Sequence, residues 1–492
     1  MYHISDVKKF NRCPLLFLND YTSKNTKYEP YVRLDETVST LVVDKLKIDY
    51  YFLGERNDPK ERVLEVLDQY EWFVKARFEY KELRVKVPFL HKTDKGYDVY
   101  FLFVGLYPRA DDLQLYTDTI WVLEGNNLEI NDIKMIHLNA DYVRQEELDV
   151  NELFIISDYF YTDNHHPKIL VKDAIESHMI DLTHTLKKMN ATTYDTIDQP
   201  ARSAKCFGRV KCRHFDTCFK SELVPDNSVL NLIGSRYRYD MDTEGRKTLK
   251  EADIEKIEGT RIQYAQIMAD YNGGLFIDRL AMKAWLENVT FPITFLDFEW
   301  ERFAIPPYFG MKPYDVLPFE YSIHIMDEDG TLSHKCFLSI HDDRKEFAKR
   351  LIEDVPKEGT IFAFNAVGAE IIRIQELANQ FPKYKEDLLN LNKRMKDLQF
   401  PFEVGLVYDT RMNGSWSLKA IMNMLDDKGY NDLNIAQGMD AVYQWRILDR
   451  EEDDPRTKEI IEELKEYCSM DTYAMSVVYR WLLGFIQNQE VV

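Results

Sequence analysis

A strand that has to be buried yet carries two carboxylates is the hardest constraint this chain places on its own fold. The run Phe291-Pro292-Ile293-Thr294-Phe295-Leu296-Asp297-Phe298-Glu299-Trp300 is apolar from Ile293 to Leu296 apart from one threonine, the pattern of a buried strand. Side chains alternate along a strand, so Asp297 and Glu299 share one face. Two carboxylates held close repel each other, and a divalent cation between them removes that repulsion. A strand end where both acids meet solvent is the other reading. A second segment, Glu466-Tyr467-Cys468-Ser469-Met470-Asp471-Thr472, favours the cation. It lies in a stretch from Pro455 to Leu483 with apolar residues at helical spacing, and Tyr467 and Asp471, at i and i+4, share one helix face.

A D-x-E strand followed by a late helix carrying Y-x-x-x-D resembles the DEDDy 3′–5′ exonucleases, which have a ribonuclease-H-like fold. The resemblance implies that Asp297, Glu299 and Asp471 hold two divalent ions, Mg2+ or Mn2+, and that Tyr467 orients the attacking water. The chemistry agrees: two hard cations about 3.5–4 Å apart activate water and stabilise the leaving oxygen in phosphodiester hydrolysis, and such cations take carboxylate oxygens. That family has a further acid opening a helix after a strand and an asparagine. Here Gly359 to Phe364 predicts a strand, Asn365-Ala366-Val367-Gly368-Ala369-Glu370 follows, and Ile371, Ile372, Ile374 and Leu377 continue as an amphipathic helix. Glu370 takes the acid's place. It departs from the pattern in being Glu rather than Asp, in following Ala369 rather than an aromatic, and in standing one residue further from the asparagine. Its second reading is a first-turn glutamate favoured by the helix dipole.

At the other end, Ser5 predicts a helix cap, Val7 and Phe10 form an apolar face, and Cys13-Pro14 follows. Much later, Lys205 to Cys218 carries Cys206, Cys212 and Cys218 in a C-x5-C-x5-C pattern. One early and three clustered cysteines can supply the four thiolates of a [4Fe–4S] cluster. Zinc is the alternative, held by four thiolates or by three and His214. Cys13 before a proline resembles the start of RecB-type nucleases that carry an iron–sulphur cluster, and this resemblance favours iron. Lys205, Arg209, Lys211 and Arg213, interleaved with Phe207 and Phe215, form a local basic-aromatic patch able to touch a nucleic-acid strand.

A RecB-like domain (PD-(D/E)XK-type) carries a strand with Asp and then one with Glu-x-Lys. Leu83 to Leu90 and Tyr97 to Leu106 predict strands either side of a turn at Lys92 to Gly96. Where Glu-x-Lys belongs the chain reads Phe103-Val104-Gly105, and the preceding strand offers Val85, Lys86 and Val87. The nuclease motif is therefore degenerate while the cysteines remain.

The expected fold class is α/β, in three parts: residues 1–220 as the degenerate RecB-like nuclease domain with the four-cysteine site, 221–290 as a helical connector, and 291–492 as a ribonuclease-H-like DEDDy exonuclease domain. Within the connector, Lys247 to Tyr271 predicts a helix. Asp397 is expected to cap local structure, His324 to pack in a strand, and Lys419 to be a solvated helix lysine. A D-L followed by Gly-Ser-x-Ser-Leu-Lys, together with Pro318 to His324, resembles a bacterial family that joins these two kinds of domain. The implied activity is a metal-dependent 3′–5′ exonuclease acting on single-stranded DNA or RNA, docked by the cluster domain. The rival is a non-catalytic nucleic-acid-binding protein with decayed centres. A net charge of −21 excludes a broad basic sheath for duplex DNA, though not a local strand site. No run of about 18 apolar residues predicts a membrane span, and the first residues lack signal-peptide character. The expected location is the cytoplasm, where the six cysteines are not read as disulfides.

Overall fold

The computed structural model describes residues 1–23, 32, 38–198, 202–206, 211–219, 224–426, 430, 434, 435, 437–450 and 455–487. The protein is mixed α/β with several sheets. It divides into two compact units. The first comprises Met1–Ala201, Lys205–Cys218 and Arg302–Asp315; the second comprises Arg202–Ala204, Phe219–Glu301 and Val316–Val492. The stretch 221–290, expected as a connector, lies in the second unit. Among the described residues no helix is long and apolar enough to cross a membrane.

The first unit opens with helices α1 (Ile4–Arg12) and α2 (Pro14–Thr22). The cap of α1 is His3 rather than Ser5: the carboxylate of Asp6 accepts the His3 backbone N–H at 2.9 Å, which closes the first turn two residues earlier. A seven-stranded sheet follows, including β1 (Trp72–Tyr80), β2 (Leu83–Thr93), β3 (Gly96–Phe103), β4 (Ile130–Leu138) and β5 (Phe154–Ser157). Alternation explains β2: Leu83, Val85 and Val87 turn into a core while Arg84 and Lys86 turn away from it. The turn from β2 to β3 needs Gly96, whose φ is +124°. Helix α3 (Gln114–Gly125) crosses from β3 to its parallel neighbour β4, a connection that parallel pairing requires. Phe103 packs against the core under α3, and Val104 and Leu106 against a second core that also takes Ala304, Ile305 and Tyr314.

The second unit is built on a five-stranded sheet of β6 (Ile293–Arg302), β7 (Val316–Met326), β8 (Leu332–Leu338), β9 (Ile361–Ala363) and β10 (Met395–Asp397). Their spatial order is β8-β7-β6-β9-β10. β7 and β8 form an antiparallel hairpin from Glu320 opposite Leu338 to Met326 opposite Leu332. β6 and β9 run parallel, with Thr294 opposite Ile361, as do β9 and β10. Helix α4 (Glu370–Gln380) leaves β9 through Asn365, which takes a left-handed φ of +64°. The N–H of Asn365 and that of Gln399 donate to Asp397 at 3.0 and 2.9 Å, so Asp397 ties β9 to β10. Further on come α5 (Leu418–Leu425), α6 (Gly438–Arg450) and α7 (Thr457–Gln487).

Helix α7 buries Leu464, Cys468, Met475, Val478 and Leu482, an apolar row at helical spacing. Its Tyr479 ring meets those of Phe362 and Phe295 at 5.5 and 6.0 Å. The helix expected from Lys247 begins only at Arg261. Before it, Thr248 and Glu251 close a short turn as a capping box, and Gly259 takes a φ of +70°, which interrupts helical geometry.

Candidate metal centre

Pleat and helix pitch bring three acids to one point. β6 presents Asp297 and Glu299 on one face, and α7 lays Asp471 against it. One ligand oxygen from each residue lies within 4.8 Å of the other two. No other group of three or more His, Cys, Asp or Glu side chains among the described residues comes this close. Burial and the neighbouring Asp471 push the Asp297 carboxyl well above the usual carboxylate range. Glu299 is raised by burial and then by Asp297, Asp471, Glu320 and Glu370. Asp471 is raised by burial to about 6, opposed by hydrogen bonds from Tyr430 and Tyr467 and by the charge of Lys419. Such mutual repulsion is what a bound cation relieves.

Glu370 sits where the strand–asparagine–helix motif puts it, as the first residue of α4 and 2% exposed. Its Oε2 has no hydrogen-bond partner among the described residues. Burial and then Asp297 raise its pKa well above the ordinary value. It belongs to the same electrostatic cluster but stands outside the close triad. Tyr467 is buried one turn before Asp471, and its neighbours are Asp471, Glu299 and Asp297.

Sequence reasoning missed three residues here. Glu320 on β7 is fully buried, and neither carboxylate oxygen has a hydrogen-bond partner among the described residues. Burial, Asp297 and Asp471 raise it well above the ordinary range. A signal was present: Glu320 shares the period-two row of Ser322 and His324, a polar row within a strand buried along its whole length. Tyr430, 3% exposed, donates from its hydroxyl to Oδ1 of Asp471. It is one of 30 tyrosines, and nothing local distinguishes it. Gly438, the first residue of α6, is the third: a Cβ there would lie 3.8 Å from both oxygens of Glu299 and 4.0 Å from the Tyr467 hydroxyl. The start of α6 also brings the positive end of a helix dipole beside Glu299.

Buried polar contacts hold the helix in register on the sheet. Thr472 Oγ1 lies 2.8 Å from both Ser322 Oγ and His324 Nδ1. His324 is thus a packed strand histidine, 9% exposed. Lys419 does not simply point into solvent: its Nζ lies 5.8 Å from the centroid of the Tyr430 ring.

The four cysteines gather in the first unit. Cys13 ends α1 and precedes Pro14 at the start of α2. The Cys212 N–H donates to the Cys206 carbonyl at 2.7 Å, and Cys218 closes a short helical turn from Phe215. Burial raises the Cys218 thiol, and so do Cys212, Cys13 and Cys206, in that order. No three of these sulfurs lie within 4.8 Å of one another. His214 Nε2 is 2.8 Å from Asp20 Oδ1, and Arg213 pairs with the same carboxylate. Of the basic-aromatic patch, Lys211 pairs with Asp216 at 2.8 Å, while Phe207 and Arg209 lie outside the described residues.

Fold and site together define a mixed α/β protein whose sheet carries a half-buried carboxylate cluster capped by a long helix. Residues 294–417 match a family described as a domain of unknown function (DUF2779). The matched stretch takes in Asp297, Glu299, Glu320 and Glu370 and stops short of Tyr430, Tyr467 and Asp471. No curated protein and no solved structure matches the chain.

Proposed function

We propose that the second unit is a metal-dependent 3′–5′ exonuclease of ribonuclease-H-like, DEDDy type, hydrolysing phosphodiester bonds of single-stranded DNA or RNA. The observation that carries this reading is the convergence of Asp297, Glu299 and Asp471 within 4.8 Å, with Tyr467 one turn before Asp471. Oε2 of Glu370, buried and without a hydrogen-bond partner among the described residues, adds a further hard donor in the same electrostatic cluster. Counted in chain order, the sheet runs third, second, first, fourth, fifth, which agrees with the ribonuclease-H-like resemblance. Asp297, Glu299 and Asp471 fit a hard divalent cation, because carboxylate oxygens are its preferred ligands. Bound Mg2+ or Mn2+ supplies a nucleophilic water at neutral pH and charge stabilisation for the leaving oxygen. Tyr467 orients the water, and the space at Gly438 admits the strand end. Glu370, standing further off, suits Mn2+, whose coordination is more tolerant than that of Mg2+.

The first unit, on the same proposal, is RecB-like without a working nuclease centre. Its hairpin and βαβ crossover support the fold, and Phe103 occupies core space where a ligand would stand. Cys13, Cys206, Cys212 and Cys218 would hold a [4Fe–4S] cluster. One zinc at about 2.3 Å from four sulfurs would draw them to roughly 3.8 Å apart. No three of the four sulfurs stand that close to one another. His214 is held by Asp20 through Nε2, which leaves Nδ1 as the nitrogen a zinc would take. Such a cluster would tie α1 to the Cys206–Cys218 loop.

The test is a single strand labelled at its 3′ end and incubated with Mn2+. Stepwise loss from the 3′ end, blocked by a 3′-phosphate and abolished by Asp297→Ala, is expected. No cleavage of any DNA or RNA end, with no Mn2+ binding, would leave the rival, a non-catalytic nucleic-acid-binding protein. The distance of Glu370 from the triad is the observation on that rival's side. Cleavage that survives loss of both Asp297 and Asp471 would place a centre in the first unit.

A further inference from the structure

Two phenols converge on one carboxylate. Asp471 accepts from Tyr430 at Oδ1, and the Tyr467 hydroxyl lies beside the same group. They reach it from different parts of the chain. Tyr467 is one turn away on the same helix, whereas Tyr430 stands between α5 and α6, far from Asp471 in sequence. Their surroundings also differ. A phenol has a single O–H to donate. Tyr430, 3% exposed, gives it to Asp471; Tyr467 also hydrogen-bonds that carboxylate, so what separates the two is the space beside each. Tyr467 faces Glu299 and Asp297 as well as Asp471, and its oxygen is 4.0 Å from the position of the Cβ that Gly438 lacks. That missing side chain leaves room for a reacting group at Tyr467.

We infer that the two tyrosines divide the work: Tyr430 is a positioning residue that orients Asp471 as a metal ligand, leaving Tyr467 to meet water and substrate. The inference rests on the two-metal reading above and adds to it a residue that the DEDDy motif does not contain. Partners that hydrogen-bond a ligating carboxylate fix its rotamer and its ionised form, and their loss weakens metal affinity by about 10–100-fold. Lys419, which lies over the Tyr430 ring, also acts on Asp471, at longer range. Tyr430 therefore also links the lysine-bearing start of α5 to the acid cluster, so that a cation stands behind the phenol that holds the ligand.

The experiment is a Mn2+ titration of the full chain, followed by calorimetry and by the loss of the free-ion electron paramagnetic resonance signal. Wild type, Tyr430→Phe and Tyr467→Phe are compared, with unfolding in EDTA recorded for each. Tyr430→Phe keeps the ring under Lys419 and removes only the donor. It is expected to bind Mn2+ about 10–100-fold more weakly, while Tyr467→Phe binds as wild type does and loses turnover instead. Equal Mn2+ affinity in Tyr430→Phe and wild type overturns the inference and leaves the nuclease reading standing. No Mn2+ binding by wild type overturns the nuclease reading itself. Should Tyr430→Phe not fold, a crystal structure of the wild-type protein with Mn2+ decides. Asp471 on the metal with the Tyr430 hydroxyl bonded to it supports the inference; a Tyr430 hydroxyl turned away from Asp471 overturns it.

Discussion

The Cys468 thiol lies 3.6 Å from Oδ2 of Asp297 and donates to it. Cys468 is fully buried on the inner face of α7, so this contact fixes where the helix crosses the acid-bearing strand. Asp471, just under one turn further along, then meets Asp297 and Glu299. Register here decides chemistry: a slide of one helical turn, about 5.4 Å, would break up the triad.

Metal-free stability should fall as pH rises from the ordinary aspartate value toward neutrality. The folded pKa of Asp471 is raised from 3.8 to about 6, so between these values the folded state binds more protons than the unfolded one. Stability is then lost progressively up to the folded pKa and stays low above it. In EDTA, the stability difference between wild type and Asp471→Asn should widen in favour of the variant from pH 4 to pH 6, as a rough window. Mn2+ should reverse the order at neutral pH by stabilising wild type alone. Thermal unfolding with and without Mn2+ across that range checks both.

Gly438→Leu should block the strand end without touching a ligand. A Cβ at 3.8 Å from the Glu299 oxygens is an ordinary contact, so Gly438→Ala is expected to keep both Mn2+ binding and most activity. A leucine reaches further into the same space. Its cleavage rate should drop on the order of 10²-fold, the cost of misplacing a reacting group, with Mn2+ affinity close to wild type. Parallel Mn2+ titration and single-turnover cleavage separate the two effects.

Asp20→Ala should loosen the cysteine loop. The Asp20 side chain is 3% exposed and pairs with Arg213, His214 and Lys9. Burial alone would raise its pKa; the hydrogen bonds from Arg213, His214 and Lys9 outweigh that and hold it at about 2. Its contribution is present above the ordinary value of 3.8 and lost as pH falls toward 2. Removing it takes the shared partner from three partly exposed groups, and solvent screening keeps the loss at neutral pH to about 1 kcal/mol. Denaturant unfolding measures that loss. Iron content after anaerobic purification should also fall, and Cys212→Ser should abolish the visible absorbance altogether.

Arg446→Met should destabilise the second unit without entering the metal site. Arg446 Nη2 lies 3.0 Å from Oε1 of Glu301, which is fully buried at the end of β6. Breaking a buried pair from one side leaves a charge without compensation and costs about 3–5 kcal/mol. Arg446→Met with Glu301→Gln should recover much of that, because the buried charge is gone. Denaturant midpoints of the single and double variants provide the comparison.

What could be read in advance was local. Alternation along Ile293 to Glu299 put Asp297 and Glu299 on one face, and helical spacing put Tyr467 and Asp471 on another. The amphipathic helix after Asn365 was likewise written in periodicity. The cap of α1 was misplaced because His3 is not a usual cap, and only the Asp6 bond to its backbone reveals it. The helix from Lys247 was overextended because a capping box and a glycine interrupt an otherwise helical composition.

The sequence alone determined which kind of element Asp297, Glu299, Tyr467 and Asp471 stand on and which of them share a face, because a pleat of two and a helix of 3.6 residues per turn are properties of short segments. Only the tertiary structure decided what meets what. It brought α7 onto β6 so that Asp471 closes the triad, left Glu370 outside it, and buried Glu320 beside Asp297 with no partner for either oxygen among the described residues. It also delivered Tyr430 to Asp471 from a stretch with no readable pattern. Those relationships join residues far apart in the chain. They depend on how large apolar surfaces choose one packing over others, and no local spacing encodes that choice.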